Sequence, residues 1–444
     1  MIASRGLLVL ALTAMLATAA AATAPASPIP AAPAGFPVST IDLGPAPLYA
    51  QGDDTSVLAG IQIFVRAGLD RENPAQSGLA ALAAETILLT PVDGVPLKDA
   101  IATHGGSLAT SAGPQYVRFY LQGQPASLGA LATLFARALA KPDSTPVALA
   151  AARSAIGIRS SEDEANPIAV GLEMVRQSYY DNGAALPIYG TTATLANQTG
   201  ADVQAFIAAH YVRANAIVSA AGRLTPDVTA AAKTLAAAFS TATDAPVKTT
   251  AKPFGPEPKE IITHRDIGVP YLVMGFAAPS VTDRDFPAML VLRALLGDAF
   301  DRPSATTLPF MSRAVGAVYI YDAQPAEFAV YINGSQLDPA RGLSAVQGII
   351  AGLSAKPMNA DTLKRYRTIA HGQWATEDIS LADRAFAIGN FVAFGAAPDS
   401  GARVAAAIDT VSAADVQRAA VAYLEKFTVA LIIPRNSAPA KPAG

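Results

Sequence analysis

Ala201-Asp202-Val203-Gln204 opens a helical run that reaches Tyr211, and Ala414-Asp415-Val416-Gln417 opens another that reaches Tyr423. The echo decides the fold because it is one of several. Ala140-Lys141-Pro142 precedes a long helical stretch ending at Gly157, and Ala355-Lys356-Pro357 precedes one ending at Gly372 with the same spacing. Phe119-Tyr120-Leu121-Gln122-Gly123 is answered by Val330-Tyr331-Ile332-Asn333-Gly334. The matches keep their order and stand about 210 residues apart. Solenoid units recur every 20–50 residues or so, so a period this long is domain-sized and predicts two copies of one fold. Even a helix start is duplicated: Thr199 and Asp202 have the capping-box spacing, and Ser412 and Asp415 repeat it.

Periodicity fills in each copy. Leu58 to Ala67 reads as a strand, 70–76 as a polar loop, and Ser77 to Leu89 as an apolar helix. Gly105-Gly106-Ser107 makes a turn before an alternating strand, Tyr116 to Gln122, and two helices follow. Asn215 to Gly222 closes the first copy with a strand. The second copy runs in the same order: strand Tyr271 to Phe276, loop 283–285, helix Phe286 to Leu296, strands Val318 to Tyr321 and Phe328 to Ile332, then helices. Strands in adjacent runs beside long helices predict an α+β fold. The expected division is 36–240 for the first domain, 241–258 for a Thr-, Ala-, Pro- and Lys-rich linker, and 259–436 for the second domain. Residues 437–444 read as a flexible tail.

The first residues have the form of a secretory signal. Arg5 supplies the charge, Gly6 to Leu16 the short apolar core, and Ala17 to Ala24 the small-residue cleavage region. Residues 1–24 are therefore read as a leader and 25–35 as a flexible Pro- and Ala-rich start, which predicts a secreted, periplasmic protein. The apolar core is too short for a comfortable membrane span, and no later stretch approaches the length of a membrane-spanning helix. The absence of cysteine excludes a disulfide framework and thiol chemistry. A formal charge of −3 with no Lys/Arg block excludes a phosphate-tracking surface, so nucleic acid is not an expected partner.

Phe64-Val65-Arg66-Ala67-Gly68, the helix opening Ser77-Gly78-Leu79-Ala80 and the turn His104-Gly105-Gly106-Ser107-Leu108 resemble the insulinase/pitrilysin-type zinc peptidases. So does Tyr211-Val212-Arg213-Ala214-Asn215 at the end of the half. These are the inverzincins, whose active members carry H-x-x-E-H on a helix. The resemblance implies two homologous domains of the mitochondrial processing peptidase type, each a mainly antiparallel sheet packed with helices. It also places the metal motif on Ala81-Leu82-Ala83-Ala84-Glu85. Ala81 stands for the first histidine, Ala84 for the general-base glutamate and Glu85 for the second histidine. Positions 81 and 85 share a helix face, but alanine has no donor atom, and a catalytic zinc needs three protein ligands, an open water position and a base. The family's downstream carboxylate ligand falls in 158–162, where Glu162 is the carboxylate. His104, His210, His264 and His371 are scattered and read as surface or turn residues, with His104 placed nearest the face of Glu85.

In the second copy, Arg313-Ala314-Val315-Gly316-Ala317-Val318-Tyr319 matches an R-x-x-G-x-x-Y pattern of the family's C-terminal half. The resemblance implies that Arg313 and Tyr319 reach a substrate held by the metal half, with Gly316 turning the chain between them. A guanidinium and a phenol supply donors suited to a peptide carbonyl. The expectation is therefore a chain that binds no metal itself, paired with a metal-competent paralogue that carries the zinc, and acting on peptides. The alternative is a peptide-binding or scaffold protein that uses the same fold without supporting hydrolysis.

Overall fold

The computed structural model describes residues 37–252, 254–255, 257–301, 315–334 and 337–435. The expected leader (1–24), the stretch 25–35, the tail 437–444 and Arg313 lie outside these residues. No helix among the described residues is long and apolar enough to cross a membrane.

The first half runs β1 (Val38–Asp42), β2 (Pro47–Gly52), β3 (Ala59–Val65), α1 (Leu79–Leu89), a short hairpin of β4 (Pro91–Val92) and β5 (Val95–Pro96), α2 (Leu97–Thr103), β6 (Ser107–Ala112) and β7 (Val117–Gly123). It continues with α3 (Pro125–Ala140), α4 (Pro146–Glu164), α5 (Pro167–Tyr179), α6 (Thr192–Asn197), α7 (Gly200–His210), β8 (Ala216–Gly222) and α8 (Pro226–Ala237). The second half runs β9 (Lys259–Arg265), β10 (Tyr271–Ala277), α9 (Phe286–Asp301), β11 (Val315–Ile320), β12 (Glu327–Asn333) and α10 (Pro339–Ala355). It ends with α11 (Ala360–Thr376), α12 (Leu381–Ala393), α13 (Ser400–Thr410), α14 (Ala413–Tyr423) and β13 (Phe427–Pro434).

The duplication is visible in the strand order. One sheet is β1-β2-β8-β3-β7-β6 and the other, read in the same sense, is β9-β13-β10-β12-β11. In both, the last strand of the half lies parallel to the first of the five shared strands, and every other pairing is antiparallel. The echoed sequences take matched places. Ala140 and Ala355 end α3 and α10, and the strands holding 119–123 and 330–333 are β7 and β12. The two capping boxes form as read, with Thr199 accepting from Asp202 N and Ser412 from Asp415 N.

Central strands β3 and β8 are buried at every residue. A strand without alternation needs cover on both faces. One face of the first sheet carries its own helices around a core that includes Phe119, Phe135 and Leu235. The other face is covered by α12, which belongs to the second half and lies across β2, β3 and β8. The exchange is reciprocal: α5 of the first half lies on β10, β12 and β13. Each helix carries a glycine at the closest approach. A Cβ on Gly389 would strike the Phe64 ring and Ser219 Oγ, and one on Gly171 would strike Val273. Hydrogen bonds fasten the exchanged helices. Ser219 Oγ donates to Ala385 O at 2.6 Å, Tyr116 OH to Asn390 Oδ1 at 2.7 Å and Tyr180 OH to Pro325 O at 2.7 Å. An ion pair between Arg384 and Asp53, 2.9 Å apart, adds to them.

Two local readings are corrected. Gly316 does not turn the chain; it sits inside β11, where a Cβ would collide with the Tyr331 phenol from β12. Its counterpart Gly60 receives Tyr120 in the same way, so a cross-strand tyrosine covers each strand glycine. The stretch 70–76 is polar and exposed at Asn73 to Ala75, as read, but it is not irregular throughout. It forms two short 3-10 turns, and Glu72 is buried beneath α1. Asp70 is also drawn inward, accepting from Thr249 Oγ1 at 3.1 Å, while Arg71 pairs with Asp244 at 3.3 Å. These contacts tie the stretch that follows α8 to the first half.

Candidate functional site

Helix α1 is positioned by its own approach segment. The Glu72 carboxylate accepts from Gly78 N at 2.9 Å and Ala80 N at 2.6 Å, answering two of the unpaired donors at the helix start. Gly78 has φ +89° and lies against Gly190, a conformation and a fit that exclude a side chain. From there the helix is buried from Leu79 to Leu88, and Ala81, Ala84 and Glu85 lie inside with it.

What faces Glu85 is a cation. Arg159, on α4, donates through Nη2 to Glu85 Oε2 at 2.6 Å, and the Glu85 side chain is only 2% exposed. Glu162, three residues on, is exposed. His104 closes α2 with its Nδ1 at 2.7 Å from Ala100 O rather than approaching Glu85. A zinc site of the family type does not fit these residues. Two ligand or base positions are alanine, and the remaining carboxylate is neutralised by a guanidinium. Among the described residues no group of three His, Cys, Asp or Glu side chains could hold a metal ion. Arg159 is not marked by the sequence as the partner of Glu85, although it lies inside the window 158–162 where the family's carboxylate ligand was expected.

Helix α9 packs against α11 and β11 in the second half as α1 packs against α4 and β6 in the first. The equivalent helices are again bridged by an ion pair, with the charges exchanged: Arg293 on α9 meets Glu377, the residue capping α11, at 2.5 Å. Tyr321 OH donates to the other Glu377 oxygen at 2.7 Å, and burial pushes the Tyr321 phenol far above its usual range. The repeat spacing did carry this signal, because Glu377 stands as far beyond Gly372 as Glu162 does beyond Gly157.

Tyr319 on β11 and Tyr321, just past its end, lie on one side with ring centroids 5.7 Å apart. Tyr319 is 5% exposed, packs against Phe286 with ring centroids 5.1 Å apart, and donates its hydroxyl to Pro279 O. Burial raises its pKa well above that of a free phenol. Part of its ring still borders a cavity of about 650 Å³ whose other walls include Tyr321, Trp374, Gln373, Glu377 and Asp378. A second cavity of about 440 Å³ lies on the β6–β7 side of the first sheet, bordered by Gln62, Ser111, Arg118 and Tyr120. Asp322, Asp383 and Phe386 border both, so the two lie side by side where the halves meet. Strands β6 and β11 are each the last strand of their sheet on this side.

The chain forms two pseudo-symmetric lobes, and the helix on which the metal motif was expected has alanine at 81 and 84 and an ion-paired Glu85. Residues 198–369 match the family model described as the peptidase M16 inactive domain. No curated protein matches the chain in sequence. Among solved structures, a protease from Helicobacter pylori is 15% identical, with 90% of this chain and 99% of that one aligned at a TM-score of 0.77. The peptidase M16 inactive domain from Pseudomonas fluorescens is 16% identical over 92% of this chain and 100% of that one, also at 0.77. A chain of complex III2 from Candida albicans is 14% identical over 90% and 96%, at 0.73. At these identities the structures report a shared fold. The family likeness therefore rests on residues 198–369, and the chain carries no H-x-x-E-H.

Proposed function

We propose that the chain is the non-catalytic, substrate-binding subunit of a two-chain zinc metallopeptidase that acts on peptides in the cell envelope. The observation that carries this reading is the disarmed helix, where Ala81 and Ala84 offer no donor and Glu85 is held by Arg159. The partner is a metal-competent paralogue with an intact H-x-x-E-H, and its zinc would activate the attacking water. This chain would hold the peptide in extended form along an exposed strand edge, as peptides add to sheets elsewhere. Arg313 would contribute donors to a peptide carbonyl. Tyr319 would do so only after releasing Pro279 O. The leader sequence supports export to the periplasm.

The test is co-expression with a paralogue that carries H-x-x-E-H, followed by co-purification and peptide cleavage. The expected result is a heterodimer that cleaves and that loses cleavage when Arg313 is replaced by alanine. A complex unaffected by Arg313→Ala and Tyr319→Phe removes those residues from the site, and failure to associate with any such paralogue removes the subunit reading. The scaffold alternative has one observation in its favour: the Tyr319 hydroxyl is already bonded inside the core. It predicts peptide binding by the chain alone, with no paralogue dependence.

A further inference from the structure

The two sheets match strand for strand except at one edge. β2 lies parallel to β8 and is itself covered by β1, whereas its counterpart β9 lies parallel to β13 and ends the second sheet. The chain just before β9, from which a counterpart of β1 would have to come, is engaged elsewhere. Thr250 O accepts from Asp181 N at 3.3 Å, Lys252 N donates to Tyr179 O at 2.6 Å, and Ala251 bridges Tyr180. The connector is thus spent on the first half, and among the described residues no strand pairs with the outer edge of β9.

That edge has a definite set of free backbone groups. The N–H and C=O of one strand residue point to the same edge, and successive residues alternate. Arg435 N donates to Arg265 O from the β13 side at 2.9 Å. Lys259, Ile261, Thr263 and Arg265 therefore turn their backbone groups to β13, and Glu260, Ile262 and His264 turn theirs outward. The side chains of the same three residues are exposed, Ile262 at 52%. Edge strands are commonly blunted by a proline or a bulge. β9 has no proline, and its register with β13 runs unbroken from Lys259 to Arg265.

We propose that this edge is an interface for a second copy of the chain, with β9 pairing antiparallel to β9 across a two-fold axis at Ile262. A symmetric antiparallel pair has its axis between two copies of one residue, so few registers exist. With the axis at Ile262, the two Ile262 residues meet and Glu260 meets His264 on both sides. All three outward residues of each strand then exchange backbone hydrogen bonds. An apolar pair at the axis flanked by carboxylate and imidazole is a favourable cross-strand set. An axis at Ile261 would set His264 against Pro258, which has no N–H. An axis at Thr263 would set Glu260 against Asp266. The one adverse pair in the chosen register is Lys259 opposite Arg265, at the two ends. β9 and β11 are opposite edges of the sheet, so the second copy leaves the cavity beside β11 open.

Sedimentation velocity of the purified full chain over a range of concentrations tests this. It should show a monomer–dimer equilibrium, and hydrogen exchange in 259–265 should slow as dimer forms. Ile262→Pro removes an outward N–H and leaves the bonds to β13, so it should weaken dimerisation by at least about tenfold without changing the circular dichroism of the monomer. Lys259→Glu replaces the adverse pair with an attractive one and should tighten the dimer, a gain that loss of fold cannot imitate. A chain that stays monomeric at every concentration overturns the proposal, as does a dimer whose affinity neither variant alters. Slow exchange of the outward N–H groups in the monomer overturns it too, because a segment of the same chain would then already cover β9.

Discussion

Removing Arg159 should cost the protein far more than removing its partner. Glu85 is 2% exposed and cannot reach water, whereas the Arg159 side chain is 33% exposed and can. Arg159→Met therefore strands a carboxylate in the packed interface of α1 and α4. Breaking a fully buried pair from one side costs about 3–5 kcal/mol. The partial exposure of Arg159 puts this case at the lower end, about 3 kcal/mol. Glu85→Leu leaves a guanidinium that swings outward on a flexible stem, at a cost of less than about 1 kcal/mol. The double variant fills the same space with apolar groups and should be close to the parent in stability, since such replacements are often neutral. Urea unfolding followed by circular dichroism reads these differences. With an unfolding entropy of about 2.1 cal/mol/K per residue in a chain this long, about 3 kcal/mol corresponds to a fall in Tm of only about 3 °C, so the chemical midpoint is the better measure. The reasoning fails if Glu85→Leu is as damaging as Arg159→Met, or if the double variant is worse than Arg159→Met alone. Either result would mean that packing, not the stranded charge, governs the site.

Other consequences follow from the way the halves interlock. Gly389→Ala should cost about 1–3 kcal/mol by forcing Phe64 and Ser219 aside, and calorimetry should still show one transition, because the sheet that loses its cover and the helix that leaves it belong to different halves. Tyr116→Phe leaves Asn390, which is fully buried, without its phenol donor, a loss of about 1–3 kcal/mol measurable by urea unfolding. Burial pushes the Glu327 carboxyl up to about 8. A raised carboxyl pKa means that the folded state holds a proton the unfolded state has released, so Glu327 should make stability fall as pH rises from about 4.5 to about 8. Unfolding free energies across that range should show a shallower slope in Glu327→Gln, by up to about 1.4 kcal/mol per pH unit; an unchanged slope refutes the assignment.

The fold was legible because duplication doubles every signal. A capping box or a helix end at Ala140 is weak alone, but the same feature at Ala355 makes both persuasive, and the structure places them at matched positions in matched sheets. The exchange of α5 and α12 was not legible. Both helices have an apolar face, and nothing in a face's periodicity says whose sheet it covers. The glycines at the contact, Gly171 and Gly389, give a hint only once the helices are in place. At the metal helix the missing donors at Ala81 and Ala84 were plain. The identity of Glu85's partner was not, since α4 presents several polar residues in one turn and only packing selects Arg159 over Glu162. Tyr319 was read by its type, a phenol able to donate. Its partner, Pro279 O, lies 40 residues away in sequence and could not be seen.

The two ion pairs show how far the copies have diverged. In each half a guanidinium and a carboxylate join the same two helices, but the first pair encloses its carboxylate almost completely and the second opens on a cavity. A closed pair has no capacity left for a ligand, since both charges are spent on each other. In the second half, Tyr321 completes Glu377, while on the next residue Asp378 Oδ1 is buried without a hydrogen bond and the carboxylate feels the charge of Arg384. The exchanged helices hold that half rigidly against the first, because separating them would bare strands β3 and β8, which are buried at every residue. A hinge between the halves would expose that surface to water, so the halves stay closed on each other.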